Sequence, residues 1–321
     1  MWRFENQTVR AWTDARLFLD GLPEPLLSQW HKQERALLSR VNIDDFDLLP
    51  SLLGLFPSLP LVWWTARAVD FHDDEVCHDL AVGAALEYLT LRFQDDVLDD
   101  HTSGEALLLG NVCREEFARL YHPHFPANHP FWGLWREWMT TFSATTLWEI
   151  VEHRQQRNPY TSTDLDRLGE KFIPAAAPPA AVAFLADRPD LIHHIKEFVL
   201  TLGSGLQLMN DHRGIAHDFA TENYTALITD ILLGVPKIRP FEKVAFPNRA
   251  LTSDAMERNL LRATIYLDRS RHLAESSGLV AATGYIDEHR RFLAEERKRL
   301  EAMRQTATGM SKRDHAEQAE A

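Results

Sequence analysis

A long apolar segment that ends in a run of aspartates constrains the fold of this chain more than any other feature. Apolar residues recur at helical spacing from Leu61 to Leu91. The sequence then reads Phe93-Gln94-Asp95-Asp96-Val97-Leu98-Asp99-Asp100. On a helix, Asp95 and Asp99 are one turn apart and Asp96 lies beside them. Three carboxylates aimed at one place repel one another unless cations lie between them. The pattern therefore predicts a helix that forms a wall of an apolar cavity with a metal-binding rim.

A second polar cluster follows another apolar segment, which runs from Ile195 to Met209. Asn210, Gly214 and Asp218 are spaced i, i+4 and i+8, so they stay near one face of a helix. Asn210 and Asp218 offer oxygen ligands, and Gly214 leaves room for a water molecule or a ligand oxygen. Acidic residues near helix ends are often only solvated. Two apolar helices that both end in oxygen ligands form a more specific pattern.

The composition of the 321 residues agrees with a helical fold. Strand signals are scarce, whereas helical periodicity recurs along most of the chain. The net charge of −13 argues against nucleic acid or an anionic membrane as the main partner. The two cysteines, Cys77 and Cys113, imply no disulfide framework. No signal peptide or long uncharged run is visible, so we expect a cytoplasmic protein without a membrane span.

Proline residues divide the predicted helices without suggesting a second domain. Pro174, Pro178 and Pro179 should break or kink the helical region around them. We expect one helical domain over residues 1–304. The small polar residues at 305–321 predict a disordered tail.

Taken together, the two clusters resemble the paired motifs of class I isoprenoid synthases, which include terpene cyclases and trans-prenyl diphosphate synthases. The first cluster matches the D-D-x-x-D motif, and the second matches the N-D-x-x-S/G-x-x-x-E/D motif of terpene synthases. The resemblance covers roughly residues 35–300 and is strongest to bacterial class I terpene synthases. It implies a single-domain, all-α helical bundle around a deep central cavity, with the helices of Asp95 and Asn210 facing each other. It also implies Mg²⁺ as cofactor, three ions in number.

The resemblance carries over to individual residues. The implied metal-binding and catalytic residues are Asp95, Asp96, Asp99, Asn210 and Asp218. The candidate diphosphate-binding residues are Arg167, Lys171, Arg213 and Arg290. The candidate cavity-lining residues, whose rings would stabilise a carbocation, are Phe93, Trp63, Phe142, Trp148 and Phe172. Each base could instead be an ordinary surface residue, and each ring could be ordinary core.

The surroundings of the motifs favour a cyclase over a chain-elongating enzyme. Elongating enzymes bind isopentenyl diphosphate through a Gly-Lys-Arg segment before the first motif and paired arginines after it. Here those stretches read Ser39-Arg40-Val41-Asn42-Ile43 and His101-Thr102-Ser103-Gly104. We therefore predict a terpene synthase that ionises one C15 or C20 allylic prenyl diphosphate, cyclises the carbocation and releases diphosphate. A trans-prenyltransferase or polyprenyl diphosphate synthase, a catalytically silent homologue and a homodimeric assembly remain open.

Overall fold

The computed structural model describes residues 6–40, 57–99, 103–233 and 240–320. The described residues are 84% helical and contain no strand, which confirms the all-α prediction. The α-helices are α1 (Asn6–Asp20), α2 (Leu26–Arg40), α3 (Ser58–Ala68), α4 (Asp74–Leu98), α5 (Ala106–Tyr121), α6 (Pro130–Trp148), α7 (Ser162–Leu168), α8 (Ala177–Leu185), α9 (Ile192–Ala220), α10 (Ala226–Ile231), α11 (Pro240–Thr252), α12 (Ala255–Ser276) and α13 (Thr283–Glu320). A π-helix spans Glu149–Gln155, and 3₁₀ helices span Gly169–Ala176, Pro189–Leu191 and Val280–Ala282. Within these described segments, no helix is long and apolar enough to cross a membrane.

The apolar segment that leads to the first aspartate cluster is divided between α3 and α4. Asp70, just after α3, has a positive φ of 56°. The Asp73 carboxylate accepts a hydrogen bond from the Val76 N–H at 3.1 Å and so caps the start of α4. The apolar pattern continues across the boundary between α3 and α4 because both helices bury apolar residues near that boundary.

The residues group into two compact units. The first comprises Met1–Thr140, Phe172–Val199 and Leu273–Ala282, and the second comprises Thr141–Lys171, Leu200–His272 and Thr283–Ala321. The single domain over residues 1–304 stays a prediction. The disordered tail at 305–321 also stays a prediction, although the backbone of α13 is helical to Glu320, where alanine, glutamate, lysine and arginine favour helix.

In the first unit, α4 and α5 pack closely because Gly83 lacks a side chain. A Cβ at Gly83 would overlap the ring of Tyr121. The Tyr121 hydroxyl donates a hydrogen bond to the Leu80 carbonyl at 2.9 Å, and the ring stacks on Phe131 with centroids 5.4 Å apart. These contacts hold α4, which carries the aspartates, in a fixed register against α5.

One acidic residue lies inside this packed region. The Glu87 side chain is 5% exposed, and its carboxylate lies 4.0 Å from the Arg114 guanidinium. Neither Glu87 oxygen accepts a hydrogen bond among the described residues. Burial raises the pKa of Glu87 to about 7, although the Arg114 charge acts to lower it. Glu87 is therefore protonated over a wide range of acidic pH in the folded protein.

In the second unit, the segment before α8 lies directly against α9. A Cβ at Gly169 would overlap the carbonyl of Leu200 and crowd the Ser204 hydroxyl. Helix α12 is tied to α9 because the Asn259 amide donates to the Leu208 carbonyl at 2.8 Å. Of the three prolines predicted to break or kink the chain, Pro174 lies in the 3₁₀ helix that precedes α8, whereas Pro178 and Pro179 lie in the first turn of α8, where proline is tolerated.

The raised pKa of Glu87 predicts a pH-dependent stability. Between the ordinary pKa of 4.5 and about 7, the folded protein keeps a proton that the unfolded chain releases. The free energy of unfolding should therefore fall as pH rises through this interval, by up to about 3 kcal/mol from this residue. Urea unfolding of Glu87→Gln between pH 4.5 and 7.5 should show a shallower fall than the wild type. The exposed control Glu115→Gln should keep the wild-type slope, and an unchanged slope in Glu87→Gln would contradict the prediction.

Candidate functional site

The first aspartate cluster occupies the last turn of α4, in the first unit. The Asp99 N–H donates to the Asp95 carbonyl at 2.9 Å, which is the one-turn relation that the sequence predicts. The side chain of Asp95 is 34% exposed, whereas Asp96 is buried. The helix end thus presents its carboxylates at different depths.

Arg92, a residue that the sequence analysis missed, neutralises part of this cluster. Its guanidinium lies 2.9 Å from Asp96 Oδ1 and 3.6 Å from Asp95 Oδ2. The spacings of three and four residues are those at which charged side chains pair on a helix, so the signal was present in the sequence. Arg92 therefore offsets part of the repulsion between the carboxylates.

The second cluster lies along α9, in the second unit, as predicted. Asn210 is exposed and Asp218 is half-buried. The space beside Gly214 is taken by Asp218, since a Cβ at Gly214 would lie 3.0 Å from Asp218 Oδ2. The sequence analysis predicted room beside Gly214 for a water molecule or a ligand oxygen. In the structure, the oxygen in that space is Asp218 Oδ2.

A buried polar group in the same unit contains Lys171 and two acids that the sequence analysis missed. The Lys171 ammonium donates to Glu149 Oε2 at 2.6 Å, and the Tyr160 hydroxyl donates to Glu149 Oε1 at 3.4 Å. Glu149 is the first residue of the π-helix, and π-helical turns occur often at functional sites. No sequence spacing links Glu149 to Lys171, because only tertiary packing brings them together.

Asp211 is the second acid of this group. It follows Asn210 directly but points into the protein, where it is 1% exposed. Asp211 Oδ1 accepts a hydrogen bond from Gln207 Nε2 at 2.9 Å. Burial raises the pKa of Asp211 to about 7; the Gln207 hydrogen bond and the Lys171 charge lower it, and the Asp218 and Glu149 charges raise it. Lys171 thus belongs to the same electrostatic neighbourhood as the second motif.

The other three predicted diphosphate-binding residues lie in the second unit with different partners. The guanidinium of Arg167 lies over the Trp148 ring, 4.3 Å from its centroid. Arg213 lies over the Phe292 ring at 4.0 Å. Arg290 is engaged with two carboxylates, which are Asp268 at 2.6 Å and Asp287 at 3.0 Å.

The predicted lining residues differ in burial. Phe93 exposes none of its surface, and Trp63 exposes 4%. Phe142, Trp148 and Phe172 are half-buried. Phe93 and Trp63 therefore pack as core in this structure, and the roles of all five rings as cavity lining stay predictions.

The donor atoms of both clusters suit a hard divalent cation, because all of them are oxygens. Among the described residues, no group of three or more His, Cys, Asp or Glu side chains could hold a metal ion alone. Mg²⁺ commonly takes only one or two carboxylates and completes its shell with water and phosphate oxygens. The donor chemistry at Asp95 and Asp99, and at Asn210 and Asp218, fits that mode of binding. The approach of the two clusters across one cavity stays a prediction.

The chain is similar in fold to solved structures with which it shares little sequence identity. No protein-family model and no curated protein matches the chain. Several solved structures match over most of the chain. A polyprenyl synthase from Caulobacter crescentus CB15, complexed with calcium and isoprenyl diphosphate, is 14% identical with a TM-score of 0.61, covering 88% of this chain and 96% of its own. A geranylgeranyl pyrophosphate synthetase from the archaeon Geoglobus acetivorans is 14% identical with a TM-score of 0.64, covering 88% of this chain and 98% of its own. An octaprenyl pyrophosphate synthase from Helicobacter pylori is 12% identical with a TM-score of 0.60, covering 89% and 99%.

The chain has the class I isoprenoid synthase fold. The resemblance inferred from the two motifs is thus confirmed at the level of the fold. The likeness to bacterial terpene synthases in particular stays a prediction, as do the roles of the individual site residues.

Within this isoprenoid synthase fold, the buried Lys171–Glu149 pair should be strongly coupled. The two side chains are 11% and 5% exposed. Lys171→Met should lower the free energy of unfolding by about 2 kcal/mol, because the buried Glu149 carboxylate loses its 2.6 Å partner while the Arg154 guanidinium stays 3.7 Å away. The double variant Lys171→Met/Glu149→Gln should lose less than the sum of the two single variants.

Chemical denaturation of the four proteins gives the coupling energy directly. The exposed pair Arg188–Asp190, joined at 2.8 Å, serves as a matched control. Its double variant should be nearly additive, because solvent screens surface pairs. Additive losses at Lys171 and Glu149 would show that the contact contributes no specific energy.

Proposed function

We propose that this protein is a class I terpene synthase. In this reaction, a C15 or C20 allylic prenyl diphosphate ionises with the help of Mg²⁺ and releases diphosphate. The carbocation cyclises and then loses a proton to give a hydrocarbon or takes up water and loses a proton to give an alcohol. The observation that carries the proposal is the combination of the isoprenoid synthase fold with two oxygen-rich clusters, Asp95–Asp99 on α4 and Asn210–Asp218 on α9. The Caulobacter crescentus relative in fold, which was crystallised with calcium and isoprenyl diphosphate, supports the assignment of a divalent metal.

The metal ions would be held by oxygen atoms of both clusters, namely those of Asp95, Asp96, Asp99, Asn210 and Asp218. When bound, Mg²⁺ supplies a Lewis acid that neutralises the charge of the departing diphosphate. Arg92 would keep Asp96 oriented through its 2.9 Å contact. Asp95, which is partly exposed, remains accessible to a cation.

Basic side chains of the second unit would hold the diphosphate itself. Ammonium and guanidinium groups donate strong hydrogen bonds to phosphate oxygens. Lys171 is the best placed of them, because its contact with Glu149 keeps the ammonium near the second motif. Arg167 and Arg213 rest on aromatic rings, and the Arg167 guanidinium also lies 3.7 Å from Glu170 Oε2. Arg290 is the weakest candidate, since two aspartates already bind it.

The carbocation requires a pocket that excludes water and offers aromatic faces. The half-buried rings of Phe142, Trp148 and Phe172 suit this role best among the predicted lining residues. Aromatic faces stabilise positive charge without reacting with it. The length and contour of such a pocket would decide the substrate and the product skeleton.

Chain elongation by a trans-prenyltransferase is the second candidate. A specific observation favours it, because the similar structures include a decaprenyl diphosphate synthase and a geranylgeranyl pyrophosphate synthetase. Against it stands the sequence, which has no Gly-Lys-Arg segment at residues 39–43 before the first motif and no paired arginines at residues 101–104 after it. The two stretches concerned, residues 39–43 and 101–104, lie largely outside the described residues. A catalytically silent homologue would bind neither metal nor substrate productively.

Product analysis separates these candidates. The protein should convert one of geranyl, farnesyl or geranylgeranyl diphosphate, in the presence of Mg²⁺, into a hydrocarbon or alcohol of unchanged carbon number. Addition of isopentenyl diphosphate should not lengthen the product. Gas chromatography–mass spectrometry, combined with an assay for released diphosphate, reads both outcomes. Longer prenyl diphosphates would establish the elongating enzyme, and no diphosphate release from any substrate would leave the silent homologue.

Two substitutions test the assigned ligands. Asp95→Asn and Asn210→Ala should each abolish turnover, because the first removes the carboxylate charge, the second removes the amide oxygen, and neither side chain contributes much to packing. Thermal unfolding should stay close to that of the wild type. Glu115→Gln and Asn248→Ala, which change exposed residues of the same types, are the matched controls and should keep full activity. Retained Mg²⁺-dependent turnover in both Asp95→Asn and Asn210→Ala would refute these ligand assignments.

A further inference from the structure

The end of α9 has a capping geometry that brings one residue back onto the second motif. Glu222 has a φ of 58°, the left-handed conformation that closes a Schellman motif. The Glu222 N–H donates to the Phe219 carbonyl at 3.3 Å, and the Asn223 N–H donates to the Asp218 carbonyl at 2.7 Å. The helix cap therefore returns Asn223 to the turn that carries Asp218.

The side chain of Asn223 uses this position to bind the Asp218 carboxylate. Asn223 Nδ2 donates to Asp218 Oδ1 at 3.2 Å. The other carboxylate oxygen, Oδ2, lies beside Gly214, where a Cβ would come within 3.0 Å of it. One oxygen is thus held by an amide donor, and the other lies against the helix surface. The carboxylate orientation is fixed from two sides.

A single arginine restrains the loop on both sides of Asn223. The Arg157 guanidinium lies 3.4 Å from Glu222 Oε2 and stacks over the Tyr224 ring, 4.4 Å from its centroid. Arg157 follows the π-helix and itself has a positive φ of 60°. Non-glycine residues in this conformation carry strain that the surrounding structure must compensate. Here the two strained residues, Arg157 and Glu222, contact each other.

From this geometry we infer that Asn223 is a positioning residue for the Asp218 carboxylate as a metal ligand, and that Arg157 holds the loop that carries Asn223. The inference rests on the proposed function, in which Asp218 binds a divalent cation. Carboxylates that bind metals are usually oriented by outer hydrogen-bond donors, and loss of such a donor weakens metal affinity by about 10–100-fold. The amide donates to one oxygen, so it orients the carboxylate while remaining outside the reaction.

Metal binding by the 321-residue chain tests this inference without an activity assay. Mn²⁺ binding is measured by electron paramagnetic resonance in the presence of inorganic diphosphate, with a protein-free control. Asp218→Ala and Asn223→Ala should both weaken Mn²⁺ binding, Asn223→Ala by about 10-fold or more. Asn248→Ala, an exposed asparagine of the same unit, should bind as the wild type does. Thermal unfolding of Asn223→Ala should remain close to that of Asn248→Ala, which a merely structural role would not allow.

Arg157→Ala provides a second test that does not alter the hydrogen bond itself. Arg157 is exposed, so this variant should fold even if Asn223→Ala does not. It should weaken Mn²⁺ binding less than Asn223→Ala but more than twofold. Wild-type affinity in both Asn223→Ala and Arg157→Ala, with weak binding in Asp218→Ala, would overturn the inference and leave the proposed function standing. Normal binding by Asp218→Ala would overturn the inference together with the assignment of Asp218 as a ligand, and absence of Mn²⁺ binding by the wild type would overturn the proposed function as well.

Discussion

Carboxylates that lie close together at the ends of apolar helices repel one another, and the rest of this structure depends on how that repulsion is offset. On α4, the Arg92 guanidinium contacts both Asp95 and Asp96. In the second unit, Asn223 donates to Asp218, and Gln207 donates to the buried Asp211. Hydrogen bonds and opposite charges are the two means by which a protein keeps an acid ionised or oriented in a partly buried place.

At Asp211, the nearby hydrogen-bond donor and positive charge do not fully compensate for the burial of the carboxylate. Burial raises its pKa to about 7, and the charges of Asp218 and Glu149 act in the same direction. Lys171 opposes them from its contact with Glu149. The buried group in the second unit thus combines the acids Glu149 and Asp211 with Lys171 and with Arg154, which lies 3.7 Å from Glu149 Oε2. Positive charge brought near Asp211 would lower its pKa again, which is consistent with a site for divalent cations.

Local periodicity was enough to predict the clusters themselves. The relation between Asp95 and Asp99, and that between Gly214 and Asp218, follow from the helical repeat alone, and both are present in the structure. Arg92 was also within reach of the sequence, because its spacing from Asp96 is that of a helical ion pair.

The partners supplied by tertiary structure were not predictable in this way. Glu149 meets Lys171 only because a π-helix and a 3₁₀ helix come together in the folded unit. Asn223 meets Asp218 only because Glu222 adopts a left-handed conformation that is uncommon for residues other than glycine. The first apolar segment is divided at Asp73, whose carboxylate caps the start of α4. The spacing of apolar residues does not reveal this cap. Contacts of this kind arise from backbone geometry and packing, whereas a sequence pattern records only period and residue type.

The central claim is that the two oxygen-rich clusters hold divalent cations around one prenyl diphosphate. A crystal structure with Mg²⁺ and an unreactive thiodiphosphate analogue of farnesyl diphosphate measures this most directly. We expect metal ions bound by Asp95 and Asp99 and by Asn210 and Asp218, with the diphosphate oxygens between these ions. We also expect Lys171 to contact the diphosphate. An analogue bound elsewhere, or bound here with no metal ion on either cluster, would contradict the account.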